Sequence, residues 1–178
     1  MTDLPAPLAD WFAEQGWTLH PHQRAMLAAK DDPATLLIAP TGGGKTLAGF
    51  LPTLAELGER PDPGLHTIYI SPLKALAADI RRNLRRPVEG AKLAIRIEDR
   101  TSDTSHTQRQ RQRGDPPHIL LTTPESLALL LSYEDAPRIF AGLRRVIVDE
   151  IHALAEGKRG DQLMLALSRL AALAPGLR

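Results

Sequence analysis

The chain alternates between short apolar runs and stretches in which apolar residues recur at helical spacing. Helical spacing covers residues 7–14 and 21–30 at the start, and Asp31-Asp32-Pro33 ends the second stretch. Further along, apolar runs predict five strands, at residues 35–39, 66–70, 92–97, 118–122 and 145–149. Helical patterns follow four of these strands, at residues 45–57, 73–86, 124–132 and 161–172. Residues 101–114, rich in Ser, Thr, Gln and Arg, are predicted to form an exposed loop or helix.

Strands that alternate with helices predict an α/β fold with a parallel sheet and helices on both of its faces, because parallel strands need crossover connections. Ligands of such sheets bind at the carboxyl ends of the strands. The residues with distinctive chemistry follow the first, second, fourth and fifth predicted strands. We therefore expect N-terminal helices over residues 1–34 and a single ligand-binding α/β domain over residues 35–178.

Composition narrows the class of protein. Hydrophobic residues make up 43% of the chain and charged residues 24%, which is typical of a globular protein. The chain has no cysteine, so disulfides and thiolate metal sites are excluded. The longest apolar run, residues 127–131, is far shorter than the roughly 20 residues of a membrane span, and residues 1–10 lack the basic start of a signal peptide. We expect a cytoplasmic protein without membrane contact.

The net charge of +1 predicts no strong overall attraction to a polyanion. Contact with nucleic acid would therefore depend on local groups, such as the arginines of one predicted helix, Arg81, Arg82, Arg85 and Arg86. Arginines in such a cluster form either a solvated helix face or a ligand site. The sequence leaves both interpretations open.

Residues 39–46, Ala-Pro-Thr-Gly-Gly-Gly-Lys-Thr, fit the Walker A pattern with Ala in place of the first Gly. Glycines let such a loop curl so that backbone N–H groups and the helix N-terminus face phosphate oxygens. Lys45 is predicted to bind the β and γ phosphates and Thr46 to bind Mg²⁺. The remaining predicted ATP contacts are Thr41, Gly42, Gly43 and Gly44. The alternative is a glycine-rich turn without a ligand.

Val146-Ile147-Val148-Asp149-Glu150 is an apolar strand that ends in two acids, the form of a Walker B element. Asp149 is predicted to complete the Mg²⁺ shell, and Glu150 to polarise the attacking water. Two acids after an apolar run more often form a helix N-cap and its neighbour. Their combination with a Walker A loop favours a catalytic set of Lys45, Asp149 and Glu150, with ATP and Mg²⁺ as cofactors.

The assembled motifs resemble a known family. Asp149-Glu150-Ile151-His152 is a DEIH box, and with the Walker A loop it resembles the DExH helicases of superfamily 2. Residues 71–76, Ser-Pro-Leu-Lys-Ala-Leu, are similar to motif Ia, and residues 122–127, Thr-Thr-Pro-Glu-Ser-Leu, to motif Ib. Gln23 stands where that family has its adenine-reading glutamine. The sequence around these motifs resembles most the Lhr (large helicase-related) group, and within it the ligase-associated DEXH-box helicases of bacterial DNA repair. This resemblance covers nearly the whole chain.

The resemblance implies a RecA-like P-loop NTPase fold and assigns further site residues. His152 couples the nucleotide site to the next motif in that family. Residues implied to contact the nucleic-acid backbone are Ser71, Pro72, Lys74, Arg100, Thr123, Pro124 and Glu125. Taken locally, a Ser-Pro or Thr-Pro pair after a strand is more often a turn or a helix start, and a lone histidine is more often structural.

One element departs from the pattern of the group. An Arg-Thr-Gly-Asp-Thr sequence is expected, and this chain has Arg100-Thr101-Ser102-Asp103-Thr104. Ser102 therefore replaces a glycine at a place where a phosphate approaches the backbone. We expect that approach to be impaired.

The resemblance implies an ATP-dependent helicase or translocase that acts on single-stranded or partly duplex DNA, 3′ to 5′, in bacterial DNA repair at the nucleoid, beside a ligase or nuclease. RNA as a substrate remains open. The chain ends at Arg178, before the family's Ser-Ala-Thr motif and second RecA-like domain, so we expect it to bind ATP weakly and hydrolyse it poorly by itself. The alternatives are a P-loop kinase or transporter ATPase with another substrate, and a binding module without turnover.

Overall fold

The computed structural model describes residues 4–40, 42–154 and 157–177. The chain divides into two compact units. The first comprises the N-terminal segment up to Asp62 together with Arg82–Ile95, and the second comprises Pro63–Arg81 together with Arg96–Leu177. The boundary at residue 34 that we expected from the sequence stays a prediction.

The first unit is helical. It contains α1 (Ala6–Glu14), α2 (Pro21–Ala28), α3 (Lys45–Glu59) and the second half of α4 (Lys74–Gly90). Prolines at the first turns of α1 and α2 suit positions where no backbone donor is needed. Both helices pack against α3. The middle of α3 is buried on nearly all sides, since every residue from Phe50 to Leu57 except Glu56 is buried.

A close contact ties α4 to α1 within this unit. A Cβ atom on Gly90, the last residue of α4, would lie 2.0 Å from the Trp11 indole nitrogen. Trp11 packs edge-on against Trp17 at 5.4 Å between ring centroids, and the Arg86 guanidinium lies 6.0 Å from the Trp17 ring. Gly90 is therefore required by packing rather than by its backbone conformation.

The second unit contains a four-stranded parallel sheet in the order β2-β3-β1-β4. Its strands are β1 (Thr67–Ile70), β2 (Ile97–Arg100), β3 (Ile119–Thr122) and β4 (Arg145–Val148). Ile70, the last residue of β1, is opposite Thr122 of β3 and Val148 of β4. Because all strands are parallel, the residues that follow them lie along one edge of the sheet.

The helices of this unit are α5 (His106–Gly114), α6 (Pro124–Leu131), α7 (Ala136–Phe140), α8 (Ile151–Leu154) and α9 (Lys158–Leu173), together with the first half of α4. Helices α6, α7 and α8 each pack against α9. Their apolar side chains join those of the sheet in one core, which includes Ile68, Ile70, Leu120, Leu127, Phe140, Leu154, Leu163 and Leu170. This core holds the residues after the strands in fixed positions.

The predicted α/β class with a parallel sheet is confirmed, but two predicted strands are wrong. The run at 92–97 is displaced, since β2 begins only at Ile97. Lys92 and Leu93, which were predicted to begin this strand, instead terminate α4. Lys92 has a φ of 52°, and the Leu93 N–H donates to the Val88 carbonyl, which is a helix C-terminal motif.

The run at 35–39 forms no strand within the part of the chain that is described. Leu36 and Ile38 are 71% and 86% exposed. An apolar run becomes a strand only where a neighbour supplies ladder hydrogen bonds, and this run has none among the described residues. The polar region 101–114 is largely helical, since α5 begins after Ser105, whose hydroxyl caps the Gln108 N–H. Over the described ranges, no helix has the length and apolar character that a membrane span requires.

Candidate nucleotide and nucleic-acid sites

The glycine-rich loop before α3 belongs to the first unit. Gly42 and Gly44 have φ angles of 81° and 73°, in the left-handed region that glycine adopts without strain. Gly44 is the N-cap residue of α3 and has no side chain with which to cap the first N–H groups of that helix. Thr41, a predicted ATP contact, lies outside the described residues. The helix start is therefore open to an anion.

Lys45 and Thr46 form the first turn of α3, and both are half-buried. Among the residues that the structure describes, none forms an ion pair or a hydrogen bond with the Lys45 ammonium. Over the described ranges, the arrangement therefore combines the free N–H groups of a helix start with a cation that has no partner there. That combination suits phosphate.

Gln23 of α2 lies against this loop. Its side chain is buried, and its carbonyl oxygen accepts a hydrogen bond from the His20 N–H at 2.9 Å. Its amide nitrogen lies 3.0 Å from the position that a Cβ on Gly44 would occupy. The structure brings the predicted adenine-reading residue beside the phosphate loop, while its adenine contact stays a prediction.

Asp149 of the second unit follows β4. Its backbone N–H donates to the Ile70 carbonyl at 3.0 Å and so extends the ladder by one residue. Oδ2 accepts a hydrogen bond from the Tyr69 hydroxyl at 2.6 Å, and Oδ1 accepts one from the Glu150 N–H at 2.8 Å. Both carboxylate oxygens are therefore fixed in direction.

Tyr69 is a site residue that the sequence did not reveal. Burial, together with the hydrogen bond and charge of Asp149, raises the pKa of the Tyr69 hydroxyl far above its usual value. The hydroxyl therefore stays protonated and acts as a donor. The available signal in the sequence was a hydroxyl-bearing residue between Ile68 and Ile70 in the apolar end of β1, two positions before Ser71.

The residues present fit Mg²⁺. Each Asp149 oxygen has accepted one hydrogen bond and keeps acceptor capacity for a cation. Magnesium prefers oxygen ligands and is commonly held by one or two carboxylates and substrate phosphates rather than by a protein cage. Within the described residues, no group of three or more His, Cys, Asp or Glu side chains gathers as a metal site. Asp149 is thus a suitable ligand for a nucleotide-bound Mg²⁺, and the role of Thr46 as a second ligand stays a prediction.

Glu150 has a φ of 50°, a conformation that costs a non-glycine residue about 1–2 kcal/mol. Its carbonyl accepts the Ala153 N–H at 2.8 Å, which begins α8, and its carboxylate lies 3.3 Å from His152 Nε2. Strained backbone of this kind concentrates at functional sites. Glu150 and His152 are partners in this structure, and their predicted catalytic and coupling roles remain predictions.

The turn after β1 presents one of its three predicted nucleic-acid residues to solvent. Ser71 is buried, and its hydroxyl bonds locally to the backbone of Leu73. Pro72 is buried as well. Lys74 is exposed, and its ammonium lies 2.8 Å from Oδ2 of Asp103. Lys74 is therefore the group of this turn whose charge a phosphate can reach.

The turn after β3 starts α6. Thr123 is the N-cap residue, and its hydroxyl accepts the Ser126 N–H at 3.4 Å, with Pro124 in the first turn. This confirms the local interpretation of the Thr-Pro pair as a helix start. Glu125 is exposed, and its carboxylate accepts a hydrogen bond from Arg159 Nε at 2.7 Å. Burial raises the pKa of Glu125, but hydrogen bonds from its own backbone, from Arg159 and from Thr123 outweigh burial and hold the pKa below its usual value. Contact of these residues with nucleic acid stays a prediction.

Arg100 requires a correction. Its side chain is 1% exposed, and its guanidinium donates to the Arg109 carbonyl at 3.1 Å and to the Gln112 side chain at 3.3 Å. A side chain committed to the interior does not reach a nucleic-acid backbone. The structure therefore does not support the predicted contact of Arg100.

The departure at Ser102 is accommodated without strain. Positive φ angles outside glycine occur in the described part of the chain only at Lys92 and Glu150, so the backbone at Ser102 does not require glycine. Arg109 Nη2 donates to the carbonyls of Thr101 and Ser102 at 2.9 Å, and the Thr101 N–H donates to the Thr104 hydroxyl at 2.9 Å. The loop is therefore held firmly in a conformation that serine allows.

The family model for DEAD/DEAH box helicases matches residues 20–176. The chain belongs to the DEAD/DEAH box helicase family. It is 42% identical over 188 residues to ATP-dependent helicase Lhr-Core protein 2 of Thermococcus barophilus, covering 96% of this chain and 22% of that protein. It is also 42% identical over 175 residues to the Lhr helicase/probable uracil glycosylase of Mycolicibacterium smegmatis, covering 90% of this chain and 12% of that protein.

Solved structures agree with this helicase family. Mycobacterium smegmatis helicase Lhr bound to ssDNA and AMP-PNP matches with a TM-score of 0.90 and 40% identity, over 97% of this chain and 23% of that one. DEAD-box helicase Mss116 bound to ssRNA matches with a TM-score of 0.81 at 18% identity, which shows the fold alone. The RecA-like fold is thereby confirmed. The helicase domain described here spans between about an eighth and a quarter of the length of these relatives.

Proposed function

We propose that this chain is the ATP-binding domain of an ATP-dependent helicase that translocates on DNA. The observation that carries the proposal is the α3 N-terminus, with left-handed Gly42 and Gly44 and a Lys45 ammonium that no described residue pairs with, in a chain of the DEAD/DEAH box family. A glycine-rich turn without a ligand does not require left-handed glycines followed by Lys45 at the first position of a helix, whereas a phosphate-binding loop does. The alternative of a P-loop kinase or transporter ATPase does not account for the family match.

In this proposal each site residue has one task. The loop N–H groups and the Lys45 ammonium bind phosphate oxygens and stabilise the charge that develops on them. Thr46 and Asp149 would each supply an oxygen ligand to Mg²⁺, and the metal would neutralise phosphate charge. Tyr69 holds the Asp149 carboxylate in one orientation. Glu150 accepts a hydrogen bond from the attacking water and orients it.

We assign nucleic-acid binding to the edge of the sheet in the second unit where β1 and β3 end. Lys74 supplies the positive charge there, and backbone contacts carry no sequence information, which suits a motor that steps along a strand. DNA is the proposed substrate because the similar Lhr structure from M. smegmatis is bound to ssDNA. The 3′ to 5′ direction, work in DNA repair at the nucleoid, and a ligase or nuclease partner belong to the same proposal and rest on the resemblance to the ligase-associated group.

The experiment that tests this function is strand separation by the full-length protein. A partly duplex DNA with a 3′ single-stranded overhang is compared with the same duplex carrying a 5′ overhang, each with ATP and with AMP-PNP. We expect separation of the 3′ substrate with ATP alone. Separation that does not depend on ATP hydrolysis, or none with either DNA, contradicts the proposal and leaves a binding module without turnover.

A further inference from the structure

Arg159 joins the two turns at the carboxyl edge of the sheet. Its Nε donates to the Glu125 carboxylate at 2.7 Å, and its Nη2 donates to the Pro72 carbonyl at 2.8 Å. Pro72 follows β1 and Glu125 lies in the first turn of α6, after β3. One guanidinium therefore connects the turn that contains Lys74 with the turn that Thr123 caps.

Arg159 itself comes from the segment that follows the DEIH box. It lies in the first turn of α9, seven residues after His152. Leu154 of α8 and Leu163 of α9 are buried in the same core as Leu127 and Leu130 of α6. The helices on either side of the Arg159 contacts are thus packed together. Both turns are therefore linked by hydrogen bonds to the start of α9.

The contact depends on the shape of arginine more than on its charge. A guanidinium presents several donors in a fixed plane, so it can reach a carboxylate and a backbone carbonyl at once, whereas a lysine ammonium is a flexible point charge. The Arg159 and Glu125 side chains are 42% and 51% exposed, and pairs exposed to this degree contribute at most about 1 kcal/mol to stability. A contribution to fold stability therefore does not explain why one arginine of α9 bonds both to α6 and to the turn after β1.

We propose that Arg159 is a positioning residue through which nucleic acid bound at these turns stimulates ATP hydrolysis at the DEIH box. The inference deepens the proposed function and rests on it. In this account Glu125 does not contact a phosphate, since its carboxylate would repel it. Glu125 instead holds Arg159, and together they keep the two turns and α9 in one arrangement.

The test is Arg159→Lys in the full-length protein, with Arg96→Lys as the matched control. Arg96 makes the same kind of contact, to the Asp115 carboxylate and the Pro116 carbonyl, with the same 42% exposure. It immediately precedes β2, at the opposite, amino end of the strands. ATP turnover is measured without DNA and against increasing concentrations of a poly-dT oligonucleotide, and both variants are checked by thermal unfolding.

For Arg159→Lys we expect unchanged turnover without DNA and at least about a fivefold smaller stimulation at saturating DNA, the lower end of measured couplings between sites. The stimulation of Arg96→Lys by DNA should stay within about twofold of the wild-type value, because surface substitutions away from special features have small effects. Equal effects of the two variants, or a parallel loss of basal and stimulated turnover for Arg159→Lys, overturn the inference. A wild-type protein that DNA does not stimulate refutes the proposed function itself, so the two failures are distinguishable.

A double-mutant cycle tests the pairing. Arg159→Gln and Glu125→Gln should each reduce the stimulation of ATP hydrolysis by DNA. The stimulation of the double variant should be no lower than that of the more affected single variant, because both substitutions remove the same contact. Additive losses would show that Glu125 acts separately, as a nucleic-acid ligand, and would refute its assignment as the partner of Arg159.

Discussion

The phosphate loop and the DEIH turn differ in what fixes their conformations. The loop is built locally, from two left-handed glycines and the start of the helix that they cap. The Asp149 carboxylate is instead fixed by Tyr69, which lies 80 positions earlier in the chain. The loop therefore depends on backbone geometry, and the turn depends on a long-range side-chain contact. Substitutions of each kind should affect them differently.

The largest effect is expected at the DEIH turn itself. Glu150→Gln keeps the shape of the side chain but removes its capacity to accept a proton, so turnover should fall at least about 100-fold. Binding of Mg-ATP, followed by a fluorescent nucleotide analogue, should be unchanged. Loss of binding with residual turnover intact would mean that Glu150 holds the nucleotide instead of the water.

At the loop, Gly44→Ala should lower nucleotide affinity about tenfold or more. Alanine at a φ of 73° costs about 1–2 kcal/mol, and its Cβ would press against the Gln23 amide nitrogen. Gly42→Ala meets no atom within 4 Å and tests the backbone cost alone, so its loss should be smaller. Gly64→Ala, also at positive φ but outside the loop, is the control and should leave affinity unchanged. Equal affinities for Gly44→Ala and wild type would show that the loop does not bind phosphate in this conformation.

A smaller effect is expected for Tyr69→Phe, which removes one donor to Asp149 and leaves the ring in place. A net hydrogen bond contributes about 1 kcal/mol, so the Mg²⁺ concentration for half-maximal turnover should rise about fivefold. Nucleotide binding in the presence of EDTA should not change, because the hydroxyl acts through the metal ligand. Tyr133→Phe removes a hydroxyl elsewhere in the same unit and serves as the control. An identical Mg²⁺ dependence of turnover for Tyr69→Phe and wild type would show that the Tyr69 hydroxyl does not position Asp149 for Mg²⁺ binding.

The smallest effect is expected for Lys74→Ala. The loss of one phosphate contact should make the salt dependence of single-stranded DNA binding shallower by about 0.7 in log affinity per log salt. The change should be the same for two oligonucleotides of unrelated sequence, as measured by fluorescence anisotropy at several salt concentrations. An unchanged slope, or a loss confined to one oligonucleotide, would place the DNA elsewhere.

The comparison between loop and turn also explains what the sequence could predict. The glycine-rich loop, the DEIH box and the strands β1, β3 and β4 can be predicted from the sequence, because local residue spacing and short apolar runs define them. The strand predicted at 35–39 is wrong because pairing depends on a neighbour that a local pattern does not reveal. Tyr69 and Arg159 were missed for the same reason, since their partners are distant in sequence.

The burial of Arg100 shows a further limit of reasoning from sequence. A family motif identified the residue, but the motif alone does not indicate which side chains turn inward. In this chain the guanidinium bonds to carbonyl and amide oxygens of α5. The same loop shows a different case at Ser102, whose backbone has no positive φ and therefore allows serine, while the expected impairment of a phosphate's approach stays a prediction.

The most direct test of the central claim is the rate of ATP hydrolysis by the full-length protein, with and without single-stranded DNA, for the wild type and for Lys45→Ala. We expect DNA to raise the ATP hydrolysis rate of the wild type. The hydrolysis rate of Lys45→Ala should be at least about 100-fold lower than that of the wild type, with and without DNA, because a methyl group cannot replace a phosphate-binding ammonium. Thermal unfolding of the variant should match the wild type. Turnover of Lys45→Ala within twofold of the wild type, or a wild-type rate that DNA does not change, would contradict the account.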